Sequence, residues 1–326
     1  MLEHGGNLQQ AAQRYGRPLA DWLDLSTGVN PQGYPLPALP ASAWQRLPET
    51  DGRLERLAAE YYGADNVLVT AGSQAIIQTL PRLRPPCRVR VLAPMYAEHA
   101  HAWRQHGHDV SALNTLPDES ELAATDVLLL CNPNNPTGRV IAPETLQHWH
   151  QVLAARGGWL VVDEAFMDAT PALSLAAASS QPGLIVLRSL GKFFGLAGAR
   201  VGFLLADQTL MQRCGELLGP WPVSGPALLV AEAALADQGW QQQTRQTLQQ
   251  QAAQLNALLQ QHGLPVSGST ALFSWVPTPQ AINLHSQLAA QGVWLRLFTD
   301  TPALRFGLPP AKSWARLAEA LSALKS

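Results

Sequence analysis

The chain has 326 residues, 47% of them hydrophobic, and a formal net charge of −2 at pH 7. This length exceeds one usual core, so two subdomains are expected, and the near-neutral charge argues against nucleic-acid binding. No apolar run approaches the ~20 residues of a membrane helix. Three dispersed cysteines without a C-x-x-C pair argue against a metal site, and the N-terminus lacks a signal-peptide pattern. We therefore expect a cytoplasmic protein with no metal.

Residues from about 40 to 215 alternate apolar strands with helical stretches, the pattern of a mostly parallel sheet. Helices over 227–235 and 240–259 follow. Short strands are predicted next, then a final helix over 313–324. The predicted strands are 67–70, 89–92, 127–131, 159–162, 184–187, 201–205, 271–276, 293–296 and 303–308. The sequence thus predicts an α/β fold with a large domain over 36–225 and a smaller α+β domain from 1–35 and 226–326.

A glycine-rich loop between two of these strands contains Ser189, Lys192 and Arg200. An amine that can form a Schiff base, with a hydroxyl and a guanidinium for a phosphate, is what pyridoxal phosphate requires. The S-x-x-K spacing alone is a weak signal, since such a spacing usually belongs to a solvated loop. Two further strand ends add Asn135, in N-P-N-N-P-T-G, and Asp163, in D-E-A-F. Each alone suits a turn or a cap, but the ordered set favours a cofactor site.

The motifs N-P-N-N-P-T-G, V-V-D-E-A-F, S-L-G-K and A-R-V-G resemble the ordered signature of fold-type I pyridoxal phosphate enzymes, the aspartate aminotransferase superfamily. The resemblance covers nearly the whole chain. It implies that Lys192 forms the Schiff base, Asp163 pairs with the pyridinium nitrogen and Asn135 hydrogen-bonds the 3′-oxygen. Ser189 and Arg200 would hold the phosphate. A carboxylate beside the ring nitrogen keeps it protonated, which makes the ring an electron sink.

The same resemblance assigns roles nearer the N-terminus. The backbone of Gly72, Ser73 and Gln74, where a helix is predicted to begin, would contact the cofactor phosphate. Tyr96, just after a strand and a proline, would stack on the pyridine ring. The residues alone leave two simpler interpretations open, a capped helix start and a half-buried packing tyrosine.

Two positions depart from the family pattern. Many relatives have tyrosine where this chain has Phe166, so Asn135 would contact the 3′-oxygen alone. Relatives often have a tyrosine near Leu47 that reaches the partner subunit's cofactor phosphate, and leucine cannot donate that hydrogen bond. Because fold-type I sites usually lie at a dimer interface, a homodimer is still expected.

Two arginines indicate the substrate. Arg296 and Arg305 interrupt consecutive apolar strands, where arginine is rarely buried without a partner. Solvent-exposed edge positions would explain them equally well. The family resemblance implies that Arg305, in L-R-F-G, binds the substrate α-carboxylate through its forked guanidinium. A second cation at Arg296 then suggests a second anion, a phosphate, although the sequence leaves open which arginine binds which group.

The first 31 residues resemble the L-threonine O-3-phosphate decarboxylases of cobalamin biosynthesis more closely than the histidinol-phosphate aminotransferases. H-G-G-N and D-L-S-T-G-V-N-P carry this resemblance. It nominates His4, Gly5 and Gly6 for the substrate phosphate, since glycine lets backbone amides approach closely. Gly28 and Asn30 would line the substrate side of the ring. A mobile N-terminal arm is the alternative for H-G-G-N.

The sequence therefore predicts a pyridoxal phosphate-dependent decarboxylase of L-threonine O-3-phosphate, with Asn135 also near the substrate. Its partners would be a small phosphorylated amino acid and a second copy of the chain, with no nucleic acid and no membrane. Histidinol-phosphate aminotransferase is the alternative with the same cofactor. A non-catalytic regulator is the alternative of another class, but retention of Lys192 and the lack of room for a helix-turn-helix before Asp24 argue against it.

Overall fold

The computed structural model describes residues 5–49 and 51–324. It divides into two compact units. The larger contains residues from 34 to 135 and from 140 to 242, and the smaller contains residues up to 33, 136–139, and residues from 243 onward.

A seven-stranded sheet builds the larger unit. In spatial order its strands are Leu68–Thr70, Gly202–Leu205, Leu184–Ser189, Trp159–Asp163, Val127–Cys131, Arg88–Leu92 and Asp109–Leu113. Only Gly202–Leu205 runs antiparallel to its neighbours, so the predicted mostly parallel α/β fold is confirmed. Val127–Cys131 and Leu184–Ser189 are buried along their whole length, as expected for strands covered on both faces.

Helices flank these strands along the chain. The α-helices are Ser42–Gln45, Arg53–Tyr62, Ser73–Thr79, Ala97–Gln105, Glu119–Ala123, Pro143–Ala154, Gln208–Leu218 and Gly225–Ala236. Short 3-10 helices are Leu80–Leu83, Met167–Ala169, Pro171–Leu173, Ala176–Ala178 and Ala197–Ala199. The long helix Gln238–Gln261 contains the last residues of this unit. Ile76, Val89, Trp103 and Leu129 belong to one buried apolar cluster that joins helices to the sheet.

The smaller unit has its own antiparallel sheet, with strands in the order Arg296–Phe298, Ala303–Gly307, Phe273–Pro277 and Gly268–Thr270. A separate parallel pair joins Leu23–Asp24 to Val293–Trp294. The helices are Leu8–Tyr15, Ala281–Ala290 and Trp314–Ser322, with 3-10 helices Leu19–Asp21 and Ala311–Ser313. The prediction of a single strand over 293–296 is wrong. Val293–Trp294 pairs with Leu23–Asp24, whereas Arg296–Phe298 belongs to the antiparallel sheet, so the chain changes sheet at Leu295.

Residues 226–242 lie in the larger unit, whereas the sequence pattern predicted them in the smaller domain. The physical reason is packing, since the helix Gly225–Ala236 contacts the helix Arg53–Tyr62. Conversely, residues 136–139 belong to the smaller unit, where a Cβ on Gly268 would come within 3.3 Å of the carbonyl carbon of Thr137. Among the described residues, no helix is long and apolar enough to cross a membrane.

Candidate active site

Three neighbouring parallel strands of the larger unit end in polar residues. Cys131 is paired with Asp163 in the sheet register, and Ser189 ends the next strand. Because parallel strands share their direction, these three ends lie at one edge of the sheet. The carboxyl edge is where open α/β sheets bind their ligands.

Asp163 is 5% exposed and its carboxylate has two hydrogen-bond partners. Oδ1 accepts the backbone N–H of Ala165 at 3.0 Å, and Oδ2 lies 2.9 Å from His99 Nε2. Both carboxylate oxygens are therefore engaged by neighbouring groups, which fix the side chain at the carboxyl edge of the sheet. His99 was not predicted from the sequence. The sequence offers one indication of its role, because His99 follows Tyr96 by three residues and both lie near the start of one helix.

Cys131 completes a buried cluster with His99 and Asp163, whose potential ligand atoms all lie within 4.8 Å of one another. Such a set has the composition of a zinc site. However, burial and the charge of Asp163 raise the pKa of the Cys131 thiol, although backbone hydrogen bonds from Tyr96 and Asn135 partly oppose this. A protonated thiol is a poor metal ligand. The cluster therefore suits the base of a cofactor site better than a metal site, and the absence of a metal stays a prediction.

A second feature suits an anion. Gly72 has a φ of 71°, and a Cβ at this position would lie 2.8 Å from a guanidinium nitrogen of Arg200. Arg200 itself adopts a left-handed backbone with a φ of 55°, which is uncommon outside glycine. A Cβ on Gly202 would lie 2.5 Å from the backbone nitrogen of Ser73. These close approaches bring the Gly72–Ser73 backbone and the Arg200 cation together, as a phosphate cradle requires.

The loop after the strand Leu184–Ser189 carries the amine. Ser189 is buried, and its Oγ accepts the N–H of Gly191 at 3.2 Å. Lys192 is half-buried, and its Nζ lies over the Phe166 ring, 5.6 Å from the centroid. The loop turns back on itself through a hydrogen bond from the N–H of Gly195 to the carbonyl of Lys192.

Tyr96 lies beside Gln74, which follows the Gly72–Ser73 turn. Its hydroxyl is 3.4 Å from Gln74 Oε1, and Gln74 Nε2 donates to Glu98 at 3.1 Å. Burial, together with the charges of Glu98 and Asp163, raises the pKa of Tyr96 to about 12, so the phenol is neutral at physiological pH. Asn135 is half-buried in the loop that follows Cys131. A neutral aromatic, a carboxylate, an amine and an anion cradle in one unit fit pyridoxal phosphate.

A buried ion cluster, also not predicted from the sequence, underlies this edge. Arg188 Nη1 lies 2.7 Å from Glu164 Oε2 and Nη2 lies 2.5 Å from Asp168 Oδ1. Ser174 Oγ donates to Glu164 Oε2 at 2.5 Å. Burial alone would lower the pKa of Arg188, but the two carboxylates outweigh it and raise the pKa. The cluster ties the segment after Asp163 to the strand that carries Ser189.

The predicted substrate arginines lie in the smaller unit. Arg296 and Arg305 are cross-strand partners, and Arg305 is 6% exposed. Burial first, and then the charge of Arg296, lower the pKa of Arg305 to about 10. Arg305 Nη2 donates to the carbonyl of Ser26 at 2.8 Å, and the Gly6 N–H donates to Ser26 Oγ at 2.8 Å. A Cβ on Gly5 would lie 3.0 Å from the Ser26 carbonyl carbon.

The other residues named from the sequence vary in what they contact. Asn30 is buried, and its Oδ1 accepts the N–H of Gln32 at 2.9 Å in a local turn. Gly28 is buried. His4 lies outside the described residues. Leu47, at the position where relatives often have a tyrosine, is 64% exposed.

Comparison with known proteins decides the family. A family model described as aminotransferase class I and II matches residues 20–324. The chain belongs to this family. A threonine-phosphate decarboxylase of Pseudomonas aeruginosa strain PAO1 is 56% identical over 100% of this chain and 98% of its own length. A histidinol-phosphate aminotransferase of Cronobacter sakazakii is 34% identical over 71% of this chain and 67% of its own.

A solved structure shows the same fold. The histidinol-phosphate aminotransferase of Sinorhizobium meliloti, in complex with pyridoxal-5′-phosphate, matches with a TM-score of 0.82 over 99% of this chain and 96% of its own, at 21% identity. The predicted family and fold are therefore confirmed. As a member of aminotransferase class I and II, this chain depends on pyridoxal phosphate, which confirms the predicted cofactor. The roles of individual residues remain proposals.

Proposed function

We propose that this chain decarboxylates L-threonine O-3-phosphate, releasing carbon dioxide and (R)-1-amino-2-propanol O-2-phosphate in cobalamin biosynthesis. The observation that carries this proposal is the identity of 56% with a threonine-phosphate decarboxylase along the full chain. The histidinol-phosphate aminotransferase relative is less similar and matches only 71% of the chain.

The arginine pair supports a substrate with two anions. A buried guanidinium beside a second one is costly, because both burial and the neighbouring charge disfavour the cation. A bound anion would offset this cost, and guanidinium groups bind carboxylate and phosphate in a forked geometry. Arg305 and Arg296 would therefore bind the carboxylate and the phosphate of the substrate. Gly5 and Gly6 lie against Ser26, the residue that contacts Arg305, and would border the bound anion.

Residues of the larger unit would hold the cofactor. Lys192 would bind it covalently, Asp163 would keep its ring nitrogen protonated, and Tyr96 would pack on the ring. Its phosphate would be bound by Ser189, by Arg200 and by the backbone of residues 72–74. When bound, pyridoxal phosphate accepts the electron pair of the bond broken at the substrate Cα.

Lys192 would act twice. Its Nζ would hold the cofactor before substrate binds and, as an ammonium, would donate a proton to the substrate Cα once the bond to the carboxylate carbon has broken. The overall reaction consumes one proton and releases one carbon dioxide, with no net oxidation. The arginines would favour decarboxylation by orienting the substrate so that the bond between Cα and the carboxylate is the bond that breaks.

The proposal includes a cytoplasmic homodimer without nucleic-acid or membrane partners. The larger unit exposes several large apolar side chains, which suits contact with a second copy. These side chains are Leu36, Trp44, Leu47, Trp221 and Leu229.

A product assay tests the function. Purified holoenzyme is incubated with threonine phosphate and, separately, with histidinol phosphate and 2-oxoglutarate, and carbon dioxide and glutamate are measured. We expect carbon dioxide in the first reaction and no glutamate in the second. Glutamate formation without carbon dioxide would establish the aminotransferase alternative. An inactive holoenzyme in both reactions would favour the regulatory one.

A further inference from the structure

The ring of Phe166 lies beneath the amine of Lys192. The 5.6 Å from Nζ to the ring centroid is within the ~6 Å over which an aromatic face attracts a cation. Phe166 is 5% exposed, so water screens this attraction only weakly. The amine that binds the cofactor and transfers protons therefore lies against a desolvated aromatic face.

Hydrogen bonds fix the segment that carries this ring. The N–H of Ala165 donates to Asp163 Oδ1 at 3.0 Å. The side chain of Glu164 is bound by Arg188 at 2.7 Å, within the buried ion cluster. Phe166 follows these two residues directly, so its ring is positioned by a rigid segment and is not carried on a loose loop.

The two acidic residues that precede Phe166 in sequence have defined partners. Asp163 is hydrogen-bonded to His99, and Glu164 is bound to Arg188. Both carboxylates are thus already engaged in hydrogen bonds. The aromatic face adds an attraction of a different kind, because it favours an ammonium over a neutral amine and offers no group that takes the proton away.

We propose that Phe166 is a positioning residue that holds the released Lys192 as an ammonium, so that its proton is delivered to the substrate Cα. The inference rests on the proposed decarboxylation. After carbon dioxide leaves, a proton that goes to the cofactor carbon instead leads, with one water, to hydrolysis of the carbon–nitrogen bond. That course yields 2-(phosphooxy)propanal and leaves the substrate nitrogen on the cofactor. Phe166 suppresses it by keeping the proton donor charged and in place.

The first test needs no substrate. In cofactor-free protein, the rate at which an acylating reagent modifies Lys192 at pH 8 is measured against that of exposed Lys312, because only neutral amines react. Fluorinated phenylalanines at position 166 keep the ring shape but weaken its attraction for cations. We expect relative acylation of Lys192 to rise roughly 2-fold to 30-fold with increasing fluorination. Phe166→Tyr keeps the aromatic face and should stay within about twofold of the wild type.

The second test uses the holoenzyme and threonine phosphate. We expect the ratio of 2-(phosphooxy)propanal to amine product to rise with fluorination at position 166 and to rise further in Phe166→Leu. A Leu variant alone would be ambiguous, since a smaller side chain also admits reagent, and the fluorinated series removes that ambiguity.

Equal acylation rates and equal product ratios across the fluorinated series would overturn the inference. So would faster acylation in Phe166→Leu alone, because that outcome reflects access to the amine. If wild-type enzyme released no carbon dioxide from threonine phosphate, the proposed function would fail, while the acylation rates would still decide whether Phe166 favours the ammonium.

Discussion

His99 Nε2 lies 2.9 Å from Asp163 Oδ2, and both side chains are almost fully buried. Removing one partner of a buried charged hydrogen bond costs about 1.5–3 kcal/mol. We therefore expect His99→Gln to weaken pyridoxal phosphate binding roughly 10-fold to 150-fold in titrations of cofactor-free protein. His148→Gln is the matched control, because His148 is exposed and pairs with Glu119 on the surface. Equal affinities for both variants would remove His99 from the site.

Lys192 is expected to form the covalent link to the cofactor. Purified wild-type protein should be yellow, and borohydride should fix the cofactor to the peptide that contains Lys192. Lys192→Ala should bind the cofactor without a reducible link, and Lys312→Ala should behave like the wild type because Lys312 is exposed on the smaller unit. A reducible link that survives in Lys192→Ala would refute the assignment.

Arg188 should be important for stability. Breaking a buried ion pair by removing one partner costs about 3–5 kcal/mol, since it leaves uncompensated buried charge. Arg188→Gln would leave the buried carboxylates of Glu164 and Asp168 without their cation. We expect the free energy of unfolding, measured with urea, to fall by that amount. Arg88→Gln is the control, because Arg88 forms a partly exposed pair with Asp126, worth at most about 1 kcal/mol. Similar losses in both variants would mean that the buried cluster contributes no more than a surface pair.

Much of the fold could be predicted from the sequence, for one physical reason. Strands covered on both faces read as unbroken apolar runs, so 127–131 was predicted with its observed limits, and the motif residues that follow such runs lie at the strand ends. The limits of the two units are harder to predict, because residues adjacent in sequence need not pack in the same unit. Residues 226–242 pack within the larger unit although they follow the last strand of the large sheet.

The contacts that tune the site could not be predicted. His99 is one of two histidines in the helix Ala97–Gln105, and nothing local distinguishes the one that reaches Asp163. Likewise, the pairing of Arg188 with Glu164 and Asp168 depends on the register of neighbouring strands. Apolar patterning specifies which elements form, whereas these polar contacts depend on how the elements are brought together.

The homodimer is expected to involve the exposed apolar residues of the larger unit. Trp44 is 70% exposed. Its chain neighbour Ala43 lines a surface groove together with Leu47 and Leu229. Trp44→Glu should shift the protein toward monomer in sedimentation, because a charge would have to be buried at the interface. Ile282→Glu is the control, since Ile282 is 63% exposed but lies in the smaller unit. An active wild-type monomer at assay concentration would contradict the proposal.

The proposed function requires one substrate with two anions, bound by Arg296 and Arg305. This requirement is tested by kcat/KM for threonine phosphate and for unphosphorylated threonine in wild type, Arg296→Gln and Arg305→Gln. Removing either guanidinium from its anion should cost roughly 2–4 kcal/mol, on the order of 30-fold to 1000-fold in kcat/KM. We expect one variant to lose most of the preference for threonine phosphate and the other to lose activity on both substrates, with cofactor absorbance nearly unchanged. Equal preference ratios in all three proteins would contradict binding of two anions by Arg296 and Arg305.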